Sequence, residues 1–116
     1  MFDPIADLAA KSCKACSGRA GKLDSPAIAS LIDGLAGWEV SAGELVKTFK
    51  FANYYETMAF VNASAWISHR EDHHPDLEVG YNKVRMRYTT HSAGGLTEND
   101  FICAAKIETL LRQPGL

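Results

Sequence analysis

Apolar positions along this chain recur at two periods, and the switches between them mark out successive elements. Ser25-Pro26 reads as a helix start, with Ser as N-cap and Pro at the first helical position. Ile28, Leu31, Ile32 and Leu35 then follow at helical spacing, and Gly34 and Gly37 close the segment. From Trp38 the period drops to two. Trp38 to Val40 reads as a short strand, Ser41-Ala42-Gly43 as a turn and Glu44 to Phe51 as a second strand. In that strand Leu45, Phe49 and Phe51 share one face, with Val46, Thr48 and Lys50 on the other.

Asn53 followed by Glu56 has the capping-box pattern and opens the longest predicted helix, which runs to about Arg70. Its predicted buried stripe is Tyr54, Met58, Val61 and Ala65, widened by Phe60, Trp66 and Ile67. Pro75 bars helix at His74, because the residue before proline is pushed out of the α region. A hairpin follows: Leu77 to Tyr81, a turn at Asn82-Lys83, and Val84 to Thr90, where Val84, Met86 and Tyr88 alternate with Arg85, Arg87 and Thr89. After a glycine-rich loop, Thr97 with Asp100 caps a last helix whose apolar face is Ile102, Ala105, Leu110 and Leu111. The order αββαββα predicts an α+β class: a four-stranded antiparallel sheet with three helices on one face. Residues 25 to 116 form one domain in this reading. Residues 1 to 24, rich in Ala, Gly, Lys and Ser, read as a tail or a loosely docked short helix. A sheet covered on one face leaves edges and a face that a second copy would shield, so a homo-oligomer is expected.

Composition narrows the function classes. The 116 residues suffice for one modest core, and 47% hydrophobic with 22% charged residues is ordinary for a globular protein. A formal net charge of -2 with dispersed Lys and Arg offers no footprint for nucleic acid or an anionic membrane. The alternation Lys83, Arg85, Arg87 reads as the solvated side of a strand. No apolar run approaches the roughly 20 residues that span a bilayer, and the acidic N-terminus is unlike a signal peptide. A cytoplasmic location is expected. Three cysteines do not describe a disulfide framework. Cys13 and Cys16 form a single CxxC with no second knuckle for zinc and no preceding strand for a redox fold. Cys103 falls on an apolar helix face as a small core residue.

The chemistry-bearing residues are four histidines, His69, His73, His74 and His91, gathered around a helix end and a strand end. Imidazole titrates near neutrality, so a cluster can both donate and accept a proton. Spacing leaves three readings open: exposed histidines near a turn, a metal site, or general acid–base chemistry. HExxH is absent, and no nearby Cys or Glu set completes a metal motif.

The pattern His69-x3-His73-His74-Pro75, then Tyr81-Asn82-Lys83-Val84, Thr90-His91, Gly95-Leu96 and Asp100 resembles the signature of the pterin-4a-carbinolamine dehydratase family. The resemblance extends over about residues 23 to 111, including Gly37-Trp38 and Phe49-x-Phe51. It departs at Leu77, where some members carry Trp, a position that looks like packing. The Cys13-x2-Cys16 extension resembles that of bacterial members linked to phenylalanine hydroxylation.

The resemblance implies a substrate, 4a-hydroxytetrahydropterin, and its loss of water to a quinonoid dihydropterin during tetrahydropterin recycling beside an aromatic amino acid hydroxylase. Such a reaction needs an acid for the departing hydroxyl and a base for the N5 proton, with no cofactor and no metal. By carry-over, His73 and His91 are the proton-transfer candidates and His74 holds the pterin. Asp100 orients His91 or contacts the site, besides capping its helix. His69 is a rim or supporting residue, Pro75 fixes the turn, and Trp38, Trp66 and Tyr81 are packing residues. The family also implies a homodimer or homotetramer. Its animal members supply the rival reading, a non-catalytic dimerisation partner of the transcriptional-coactivator kind.

Overall fold

The computed structural model describes residues 3–14 and 21–112; Cys16 lies outside them. The elements are α1 (Pro4–Ala9), α2 (Ser25–Ile32), β1 (Glu39–Ser41), β2 (Glu44–Lys50), α3 (Tyr54–Glu71), β3 (Asp76–Val79), β4 (Lys83–Tyr88) and α4 (Glu98–Leu111), with a 3-10 turn at His91–Ala93. All strand pairs are antiparallel, in the order β1-β2-β4-β3. The fold is α+β, as the periodicity predicted.

Register explains which residues reach the core. Leu45 lies opposite Tyr88, Lys47 opposite Met86 and Phe49 opposite Val84, so these six share one face. Helices cover that face, and Phe60, Phe101, Ile102, Ile107 and the fully buried Cys103 pack there. Lys47 is the polar exception. Its ammonium lies 2.7 Å from a Glu108 carboxylate oxygen on α4, which also accepts the Trp38 indole N–H at 3.0 Å. The opposite face is charged, with Glu78 facing Arg85 and Asp76 facing Arg87 across β3 and β4.

Helix α3 begins as predicted, the Asn53 side chain accepting from the Glu56 N–H at 2.9 Å. Its buried stripe is rotated from the predicted one. Thr57, Phe60 and Ser64 are buried, whereas Tyr54 and Trp66 are exposed. The cause is local hydrogen bonding. Thr57 Oγ1 lies 2.8 and 2.9 Å from the carbonyls of Asn53 and Tyr81, and Ser64 Oγ donates to the Val61 carbonyl at 2.8 Å. Satisfied hydroxyls occupy a buried line at little cost, and a count of apolar residues misses them. Trp66 is therefore not core, and Tyr81 in the β3–β4 turn is exposed rather than packed.

Two helix starts add detail. The N-cap of α2 is Asp24, one residue earlier than the predicted Ser25. In the extension, Asp3 caps α1, and Ile5 and Leu8 are buried with the main core against α4. Pro4 approaches Gly34 so closely that a Cβ at Gly34 would sit 2.6 Å from the Pro4 Cβ. The absence of a side chain there is what lets α1 dock.

Candidate active site

The site is built where α3 ends. Asp72 terminates the helix in the left-handed conformation, φ 52°, one that Asp tolerates better than most residues. The His73 N–H returns to the Ser68 carbonyl at 3.2 Å, and the chain turns so that His73 goes inward and His74 outward. Pro75 then leads into β3. From the other side β4 delivers Tyr88, and the chain beyond it delivers Thr90 inward and His91 outward.

Asp100, in the first turn of α4, is fully buried. One oxygen accepts the Thr97 backbone N–H and the Thr90 hydroxyl, each at 2.9 Å, and the other lies 2.6 Å from His73 Nε2. A carboxylate already accepting two donors acts as acceptor again, so Nε2 carries its hydrogen and donates. The Thr90 hydroxyl gives its hydrogen to Asp100. At 2.9 Å it then accepts from the Thr97 hydroxyl. The His73 ring is 7% exposed and stacks on Tyr88, centroids 5.8 Å apart and planes within 17°. Burial pushes the Tyr88 hydroxyl well above the usual phenol range, and neighbouring Cys103 pushes it the same way. That hydroxyl faces Ser68 without a hydrogen bond of good geometry.

A cleft of about 320 Å³ opens over this assembly, lined by His73, His74, His91, Asp72, Asp76 and Arg87 among others. His91 stands on a ridge, since with Thr89 it also lines a neighbouring concavity of about 510 Å³. The expected residues thus divide. His73, His74 and His91 come together at one cleft. Asp100 backs His73 rather than His91, because Thr90 is the residue that the chain turns toward it. His69 is exposed on α3 beside Trp66, 5.9 Å between ring centroids, and does not line the cleft.

Sequence reasoning passed over Asp72, Asp76 and Arg87. Arg87 lies on the charged face of the sheet, as the alternation indicates, but that face becomes the cleft wall at the end of β4. Its guanidinium is 3.4 Å from Glu78 and 4.0 Å from Asp76. Only the pairing of β3 with β4 reveals this. Among the described residues no three His, Cys, Asp or Glu side chains gather as a metal-holding group, and no helix is long and apolar enough to cross a membrane.

The fold and the cleft define a class: a small α+β protein with one antiparallel sheet and a histidine-lined cleft at the end of its longest helix. The profile of the pterin 4 alpha carbinolamine dehydratase family matches residues 21–110, and the chain belongs to that family. A relative from Nitrosospira multiformis, named as a pterin-4-alpha-carbinolamine dehydratase, is 59% identical over 97% of this chain and 99% of its own length. One of the same name from Dechloromonas aromatica is 55% identical over 90% of this chain and 94% of its own. Among solved structures, a transcriptional coactivator/pterin dehydratase from Brucella melitensis superposes with a TM-score of 0.75 at 27% identity, covering 78% of this chain and 98% of that one. A pterin dehydratase-like RuBisCO assembly factor of the alpha-carboxysome matches less closely, with a TM-score of 0.53 at 27% identity over 63% of this chain and 84% of that one.

Proposed function

We propose that this dehydratase removes water from a 4a-hydroxytetrahydropterin by histidine acid–base catalysis, giving the quinonoid dihydropterin. The observation that carries the reading is the buried His73–Asp100 pair opening onto a cleft that also holds His74 and His91. Elimination needs one proton delivered to the departing 4a-hydroxyl and one taken from N5, so water leaves with no net redox change. His73 and His91 are the proton-transfer pair in this scheme, and His74 holds the ring system. Asp100 is a positioning residue: it fixes the His73 ring through Nε2. The product would return to the tetrahydro form through a separate reductase, completing a cycle begun by an aromatic amino acid hydroxylase.

A homo-oligomer belongs to the same reading. Tyr55 and Trp66, 82% and 62% exposed on the outer face of α3, are a surface that a second copy would cover, as are the edges of β1 and β3.

The test is stopped-flow ultraviolet absorbance on chemically prepared 4a-hydroxytetrahydropterin in the presence of EDTA. The wild-type chain accelerates the loss of water, and His73→Ala or His91→Ala lowers that rate by about 10²-fold or more. A folded wild-type chain that gives no acceleration overturns the assignment and moves the weight to a binding role of the coactivator kind.

A further inference from the structure

The segment after α1 is fastened along α4 in a way the dehydration chemistry does not require. The Lys14 backbone N–H donates to the Asn99 side-chain oxygen at 2.9 Å, and the Asn99 amide returns a bond to the Lys14 carbonyl at 2.8 Å. The Cys13 N–H donates to Glu71, the last residue of α3, at 2.8 Å. Lys11 pairs with Glu98 at 2.9 Å, and Lys106 donates to the Ala9 carbonyl at 2.8 Å. Asn99 is itself buried, so this clamp is a fixed part of the fold. Its effect is to hold Cys13 over the helical position one turn beyond Asn99, which is Cys103. The two sulfurs lie 3.5 Å apart, both as free thiols.

We infer that Cys13 and Cys103 are a redox-sensitive pair that closes to an intramolecular disulfide when the protein meets a low-molecular-weight disulfide. The two thiols differ in access in the way such exchange requires. Cys13 is partly exposed and Cys103 is fully buried. The hydrogen bond with Cys13, reinforced by burial, holds the Cys103 thiol far above the usual thiol range. Cys13 is therefore the entry point. Its thiolate attacks one sulfur of the small disulfide, forming a mixed disulfide and expelling a small thiolate. Cys103 then attacks Cys13 Sγ and the second small thiol departs. Both protein thiols are oxidised, one small disulfide is reduced to two thiols, and the two thiol protons leave with those products. The sulfurs need to approach by about 1.5 Å to reach bonding distance, within the adjustment of a surface segment.

The closed bond would join residues 90 apart in sequence, tying the segment after α1 to α4 beside the end of α3. It would act on the clamp and leave the cleft itself unchanged.

The experiment is oxidation of the full chain with glutathione disulfide, alkylation of the remaining thiols, trypsin digestion and mass spectrometry. Cleavage after Lys11, Lys14, Arg19, Arg87 and Lys106 puts the three cysteines on three peptides. The expected product joins 12–14 to 88–106 and is lost on reduction. In the same sample the Tm rises by roughly 10 °C over the reduced protein. Cys16→Ser keeps both changes and Cys13→Ser abolishes both. A bond between 12–14 and 15–19, glutathione retained on Cys13, or full alkylation at Cys13 and Cys103 each overturns the inference.

Discussion

His73 and His91 line the same cleft and are built in opposite ways. His73 is buried, bonded to a fully buried carboxylate and stacked on Tyr88. His91 is exposed at the start of a 3-10 turn, on the ridge between two concavities. For the proton-transfer pair proposed above, the difference separates two demands. One member has to keep its orientation in the absence of substrate, and burial with a carboxylate does that. The other faces whatever enters the cleft. A mutation on the buried side should therefore cost both stability and rate, whereas one on the exposed side should cost rate alone.

The largest effect falls on Asp100, where three donors converge on one buried side chain. Asp100→Ala leaves the Thr97 N–H, the Thr90 hydroxyl and His73 Nε2 without their acceptor, and is expected to destabilise the fold by about 3–5 kcal/mol in urea titrations. It should also lower the dehydration rate, since His73 loses its anchor. A loss below about 1 kcal/mol would mean that the buried half is not pre-organised.

Next is His73→Ala, with a rate about 10²-fold lower or more and a stability loss of about 2 kcal/mol from the vacated stack and the stranded carboxylate. His91→Ala sharpens the contrast. The rate should again fall by about 10²-fold or more while urea stability stays within about 0.5 kcal/mol of wild type. Equal stability losses in the two histidine variants would erase the distinction between the halves.

How much of this was legible in the sequence depends on what each signal encodes. Strand alternation placed Val84, Met86 and Tyr88 on one face without error, because side-chain period in a strand is fixed geometrically. The Asn53 and Thr97 caps were legible because capping is a short-range hydrogen-bond pattern. The stripe on α3 was not, since Thr57 and Ser64 are polar by type and buried by virtue of their own hydrogen bonds. The three cleft histidines could be named, but not which of them Asp100 holds. That partner depends on which residue the chain beyond β4 turns inward, and the sequence pattern carries no such information. Arg87 is the plainest case: its outward position is legible in the alternation, and its place in the cleft wall follows only from where β3 begins beside the end of β4.

The smallest expected effect tests the floor of the buried half. Tyr88 supplies a ring for His73 to stack on, and its hydroxyl makes no hydrogen bond of good geometry. Tyr88→Phe keeps the ring, so the rate should change little and stability at neutral pH should stay within about 1 kcal/mol of wild type. At high pH the two proteins should part. Burial raises the Tyr88 pKa in the folded state above its ordinary value of 10.0, so above that value the unfolded chain releases this proton while the folded chain retains it. The unfolded state then binds fewer protons, and stability falls as pH rises. Phe has no proton to release. Urea midpoints for Tyr88→Phe should therefore decline less steeply than those of wild type once pH exceeds about 10. The shared contribution of Cys103, whose pKa is also raised, remains in both curves. Parallel curves through that range would mean that the Tyr88 hydroxyl ionises within the folded protein, and that the floor beneath His73 is open to water.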